Sequence, residues 1–285
     1  MNAKAELNIA HSLSKLPIER RRVKFEFADV DRADFHGNNT VISAYWVGLS
    51  ATFPLGEAEF IRSVRLYEDQ ITDDKLAAEV KDFAAQEAHH ALQHRKINKQ
   101  FDACGYSTSK VEKLMEAKIK ERIEKWSDKK RLMHTVSAEH FTAVMAHFAL
   151  SHPESLDHMP ESLRKLFLWH AIEEVEHKSV AFDVYKHCVG DMWRLRRHYA
   201  YFAFIEFPMN MYLITRFLLK EMGYKATWNE RRGMWRYLFG KGGTVSTVKN
   251  LYMMFFRKDF HPWQHDDSEL VAKWKEELAP HFLDH

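Results

Sequence analysis

Between residues 42 and 188 apolar positions recur in steps of three and four, the spacing of one face of an α-helix. Ile42 to Ile71 carries Trp46, Phe53, Phe60, Val64, Tyr67 and Ile71 on one stripe, with Glu57 in the same phase. Asp73 to Phe101 carries Leu76, Val80, Phe83, Ile97 and Phe101, with Glu87, His90 and His94 in phase. Asp128 to Leu150 repeats the pattern around Glu139. A fourth segment, starting near Pro160 and closed by Gly190, repeats it around His170, Glu174 and His177. Four helices are predicted, the first with a kink, bulge or restart near Pro54 and Gly56. Ser109 and Glu112 have capping-box spacing and predict a helix to Trp126 with an apolar face of Val111, Met115, Ile119 and Ile123. A further apolar helix is expected over about Met192 to Met222, kinked at Pro208. The tail after it has a loop at 240 to 243 and an irregular aromatic stretch at 256 to 267. Residues 1 to about 40 are polar and irregular. Val23, Phe25 and Phe27 offer at most one short extended segment there, and the whole stretch is expected to wrap the helices.

The polar residues that share phase with the apolar stripes carry the chemistry. Positions i and i+3 of a helix lie about 4.5 Å apart along its axis, so Glu-x-x-His can grip one ion from one face. It occurs twice, as Glu87 with His90 and Glu174 with His177, and each pair follows an in-phase glutamate, Glu57 and Glu139. One Glu from each of two helices and Glu-x-x-His from two more is the ligand pattern of dinuclear carboxylate bundles. Carboxylates in a core are costly without compensating charge, and two divalent ions supply it. Carboxylate and imidazole donors admit iron, zinc or manganese alike.

His170 completes His-x-x-x-Glu-x-x-His and fits a seventh ligand and a satisfied core histidine equally. Glu59 follows the phase of Leu55, Arg62 and Leu66, so Glu57 is preferred. Glu173 and Glu176 read as a solvated helix face. His94 reads as core or as a support behind the ligands, and His89, His140 and His147 as ordinary polar contacts. The competing reading without metal is a salt-bridged core using Arg62, Arg65 or Arg95.

Lys and Arg total 42 against 40 Asp and Glu. That balance gives no general attraction to nucleic acid. Cys104 and Cys188 are isolated and suggest neither disulfide nor thiolate site, which fits a reducing compartment. The N-terminus lacks the apolar run of a secretory signal, and a cytoplasmic protein is expected. Tyr199 to Leu219 approaches membrane-span length but contains Glu206, Pro208, Asn210 and Arg216, so a buried or interfacial helix is expected. The aromatic residues of 192 to 263 fit a lipophilic pocket or a membrane surface, and fit bundle core or a homodimer interface better.

The segments SATFPLGEAEFIRSVR, AEVKDFAAQEAHHALQHRKIN and LWHAIEEVEHKSVAFDVY, with the late FHPW, resemble a bacterial family described as predicted metal-dependent hydrolases, over most of residues 23 to 275. The ligand pattern looks ferritin-like. With His170 included, its order and spacing are also similar to those of the di-iron arylamine N-oxygenases, which use three histidines and four glutamates; that likeness implies oxygen activation. The expectation is an all-α, ferritin-like four-helix bundle at 41–190, an irregular segment at 1–40 and a helical extension at 191–285. Its centre would hold two metal ions on Glu57, Glu87, His90, Glu139, His170, Glu174 and His177. The first reading is a di-iron oxidoreductase using O2 and an unnamed electron donor on a small lipophilic or aromatic substrate. The alternative is a dinuclear hydrolase, and a ferroxidase or structural metal protein is the third.

Overall fold

The computed structural model describes residues 15–283; most of the stretch searched above for a secretory signal lies outside them. The chain is an all-α bundle whose four site-bearing helices are α1 (Thr40–Arg65), α2 (Asp74–Ala103), α4 (Asp128–Ser151) and α5 (Glu161–His177). Short connections make α1–α2 and α4–α5 hairpins, and the hairpins pack on one another through α1 with α4 and α2 with α5. Between them runs α3 (Thr108–Lys125). Beyond α5 come α6 (Val180–Cys188), α7 (Met192–Tyr201), α8 (Phe207–Glu221), α9 (Trp228–Phe239), α10 (Thr244–Met254) and α11 (Ser268–Leu278). The strands β1 (Arg22–Val23) and β2 (Phe282–Leu283) pair antiparallel, Arg22 opposite Leu283.

Asn39 caps α1 through the amides of Val41 and Ile42, and Asp73 caps α2 through those of Lys75 and Leu76. The helix boundaries otherwise follow the apolar stripes, with four departures. First, α1 runs unbroken through Pro54. A proline removes the bond to the carbonyl four residues back, and that carbonyl, on Ser50, accepts instead from Asn98 Nδ2 at 3.3 Å. Second, the Ser109–Glu112 capping box does not form; Ser107 is the cap position, and the Thr108 amide and hydroxyl donate to Asp102 Oδ1. Third, the expected fourth helix breaks at Lys178 and Ser179. Lys178 Nζ is held by Asp267 Oδ2 at 2.7 Å, and Ser179 Oγ accepts from Trp263 Nε1 at 3.1 Å. The irregular 256–267 segment therefore pins the break. Fourth, the bend before Pro208 takes the form of a π-helical turn, Phe202–Glu206.

Residues 19–33 do wrap the bundle, lying along the outer side of α2. Their carbonyls accept from Gln86, Gln93, Lys96 and Gln100 side chains, which recur on one face of that helix. Together with the short β1–β2 pairing, this satisfies an irregular backbone. Val23, Phe25 and Phe27 point into one apolar cluster with Ile97, Phe101 and Trp169. A second cluster joins Leu76, Val80 and Phe83 to Leu132, Val136 and the aromatic residues Tyr199, Phe255 and Phe260.

Candidate metal centre

All seven expected ligand residues converge between the two apolar clusters, none more than 5% exposed. Their donor atoms form three overlapping groups, Glu57/His90/His170, Glu87/His90/Glu174 and Glu87/Glu139/His177, each within 4.8 Å. Metal bonds of about 2.1 Å place neighbouring ligand atoms roughly 3 Å apart, and the separations are of that order. Glu87 Oε2 lies 4.0 Å from His90 Nδ1 while its Oε1 lies 3.1 Å from His177 Nε2. Glu174 Oε1 is 2.9 Å from His170 Nε2 and its Oε2 is 3.7 Å from His177 Nε2. Each of these two carboxylates thus divides its oxygens between two positions. One position has Glu57 and two imidazoles, His90 and His170; the other has Glu139, 3.5 Å from His177.

The donor set fits a pair of cations. Both oxygens of Glu57, Glu87 and Glu139, with His90 Nδ1 and His177 Nε2, are buried and, among the described residues, make no hydrogen bond. Buried polar atoms are normally paired, so these point to a charge that the protein itself does not supply. Burial first, and then the facing carboxylates, push Glu57 and Glu139 well above the usual carboxylate range. Glu87 is raised by burial, against the opposing pull of the His177 imidazole 3.1 Å away. Burial, with neighbouring imidazoles, keeps His90 far below its ordinary value, hence neutral with a free lone pair. His177 behaves oppositely, since the facing Glu174 and Glu87 carboxylates outweigh burial and favour its charged form.

This gives a signed expectation. Because the carboxyls of Glu57 and Glu139 and the imidazole of His177 are all shifted upward, metal loading competes with protons there, releasing them and weakening as pH falls by about tenfold per pH unit for each proton displaced. Without metal the dependence reverses: carboxyls with raised folded pKa contribute stability below about 4.3, their unfolded value, and lose it as pH rises. A pH-stat titration of the metal-free chain with Mn2+ checks the release; proton-neutral loading would contradict it.

Each histidine is aimed by a donor bond on its far side, the arrangement that fixes tautomer and ring plane in metal sites. His90 Nε2 donates to Glu173 Oε2 at 3.0 Å, which also receives Trp169 Nε1 on its other oxygen. His177 Nδ1 donates to Gln86 Oε1 at 2.9 Å, and Gln86 Nε2 donates to Glu176 Oε2 at 2.9 Å. His170 Nδ1 meets His94 Nε2 at 2.8 Å, His94 Nδ1 meets Ser50 Oγ at 2.9 Å, and Ser50 Oγ donates to Asn98 Oδ1 at 2.7 Å. Asn98 is the residue that takes the carbonyl freed by Pro54. The proline that was expected to interrupt α1 is thus joined to the support of a candidate ligand.

Two expectations are overturned. Glu173 and Glu176 are not solvated; they are fully or almost fully buried, clamped by Arg21, whose guanidinium meets Glu176 at 2.6 Å and Glu173 at 3.5 Å. Lys275 adds a second cation to Glu176 at 2.6 Å. The arginines of the salt-bridged reading also stand elsewhere, with Arg62 on Glu59, Arg95 facing Glu112 and Arg65 exposed. Glu59 is held by Arg131 at 2.7 Å, away from the centre, as its phase indicated.

A narrow cavity of about 50 Å³ opens beside the centre. Eight of its lining residues are apolar, among them Trp46, Leu49, Phe53, Met145 and Phe167, and the polar ones are Thr142, His170 and Glu174. Thr142 Oγ1 donates to Glu174 Oε2 at 2.5 Å, so it is the hydroxyl at the boundary of cavity and carboxylate cage. Sequence reasoning missed Thr142, Gln86 and Arg21, because none is a carboxylate or imidazole and Arg21 lies outside the four helices.

An all-α bundle that gathers buried carboxylates and imidazoles at its middle defines a candidate metalloprotein of the dinuclear kind. Residues 19–266 match the model of the family described as predicted metal-dependent hydrolase, and the chain belongs to that family. The description names the hydrolytic alternative rather than the oxygen-activating first reading. No curated protein and no solved structure matches the chain.

Proposed function

We propose that the chain is a metal-dependent enzyme with two ions held by Glu57, Glu87, His90, Glu139, His170, Glu174 and His177, acting on a small apolar molecule. The observation that carries this is the set of buried, unpartnered carboxylate and imidazole atoms aimed at two adjacent positions. Glu87 and Glu174 would hold the two ions together, Glu57 and Glu139 would close the ends, and the imidazoles would fix each ion's place. Two irons would supply electrons for reducing dioxygen, whereas zinc or manganese would supply an acidified water and a polarised carbonyl or phosphoryl oxygen. Oxidation is our first reading, supported by the carboxylate-rich donor set; the apolar space of about 50 Å³ beside it would admit dioxygen, and an organic substrate would require it to widen. Thr142 would anchor Glu174 at the cavity edge through its hydroxyl.

Hydrolysis is the second reading, and the family description supports it. The test loads one batch with Fe2+ without air and another with Zn2+ or Mn2+. Oxidation predicts rapid O2 uptake and a visible absorbance change in the ferrous batch. Anaerobic turnover of nitrophenyl esters by the zinc or manganese batch, with no O2 uptake by the ferrous one, would overturn oxidation in favour of hydrolysis.

A further inference from the structure

Helices α7 and α8, joined by the π-helical turn, form one rod over Met192–Glu221, long and apolar enough to cross a membrane, yet only a third of its most apolar stretch is buried. The outward flank presents Tyr201, Phe204, Ile205, Met209, Tyr212 and Leu213, each at least half exposed. Next in the chain, α9 exposes Trp228, Trp235 and Phe239 in steps of seven and four, again one helical face. Exposed apolar groups this concentrated call for a partner.

Charge decides which partner. Residues 191–260 hold thirteen Lys and Arg against five Asp and Glu, a local excess of eight, although the whole chain carries +2. The remainder of the chain is therefore net acidic. On the rod itself the cations stand toward the ends, with Arg194 and Arg197 before the apolar stretch and Arg216 and Lys220 after it, all exposed. Apolar flank, aromatic rings and flanking cations are the signature of a helix lying in the plane of an anionic lipid surface. A second copy of this chain would bring the same positive charge against itself, which self-association must overcome.

The inner side excludes a crossing. Glu206 faces inward onto Arg122 and Lys118, and Asn210 accepts from Lys118 at 2.9 Å. Gly48 of α1 allows the rod so close that an added Cβ would lie 2.8 Å from Ile214 Cγ2. These contacts hold the rod to the bundle. Gly48 adjoins Leu49, which lines the cavity, so the same rod has the cavity wall behind it and the apolar flank in front.

We propose that the α7–α8 rod, with α9, is an in-plane docking face for an anionic lipid bilayer. This holds whichever reaction the centre performs. The test is flotation of the metal-loaded full chain with phosphatidylglycerol vesicles and with pure phosphatidylcholine vesicles, at low and high salt. Binding is expected to the anionic vesicles only, to weaken with salt, and to shift tryptophan emission to the blue through Trp228 and Trp235. Ile205→Ser with Leu213→Ser should lower the partition coefficient about a hundredfold or more, the effect of losing two buried aliphatic side chains. Arg216→Gln with Lys220→Gln should lower it about fivefold per charge. Unchanged melting and metal content show that the variants fold. A chain that stays in the aqueous fraction with anionic vesicles would overturn the proposal, as would an Ile205/Leu213 variant that floats like the parent. Sedimentation as a dimer that this variant disperses would assign the face to self-association instead.

Discussion

Replacing Glu174 or Glu87 with alanine is expected to reduce bound metal from two ions per chain to fewer than one, whereas Glu57→Ala and Glu139→Ala should each cost one ion. The difference follows from geometry: the oxygens of Glu87 and Glu174 are divided between both positions, while Glu57 and Glu139 each serve one. Stability should change in a way that a merely structural role does not produce. An ion present at a hundredfold over its dissociation constant stabilises the fold by about 2.7 kcal/mol, so the loaded parent should melt highest. Without metal the order should invert, because Glu139→Ala removes a buried carboxyl that burial and Glu87 hold far above its ordinary value. Elemental analysis and melting curves on loaded and stripped samples check both. Full metal content in Glu174→Ala would contradict the bridging assignment.

Arg21→Ala is expected to do comparable damage from outside the ligand set. It leaves Glu173 and Glu176 buried with one clamping cation gone, and breaking a buried ion pair from one side costs about 3–5 kcal/mol. Because Glu173 aims His90 and Glu176 holds the Gln86 that aims His177, metal affinity should also fall, by about 10–100-fold. Arg21→Lys keeps the charge but not the fork that meets Glu176 through two nitrogens. It should recover more of the stability than of the metal affinity. Chemical denaturation and competitive metal titration separate the two effects; an Arg21→Ala protein that loses stability but binds metal normally would uncouple Arg21 from the centre.

The candidate ligand residues were legible because each breaks an apolar stripe at a position that the helix buries. A buried glutamate amid Val80, Phe83 and Ile97 needs a cation, and four helices with that anomaly at matching spacing narrow the reason to a shared one. The supports were not legible in the same way. Glu173 and Glu176 flank Glu174 like any charged run, and what buries them is Arg21, 155 residues from Glu176 along the chain. No local pattern reports a cover that distant. The break after His177 was hidden for the same reason, since Trp263 and Asp267, more than eighty residues on, hold it. Pro54 misled for a subtler one: the rule that proline interrupts a helix assumes that the freed carbonyl goes unpaired, and Asn98 pairs it.

The most direct test is a crystal structure of the metal-loaded chain with anomalous scattering recorded at the edge of the bound metal. Two peaks about 3.5–4 Å apart, flanked by Glu87 and Glu174 with His90 and His170 on one and His177 on the other, are predicted. Waters alone among those side chains, in a sample purified with its metal intact, would contradict it.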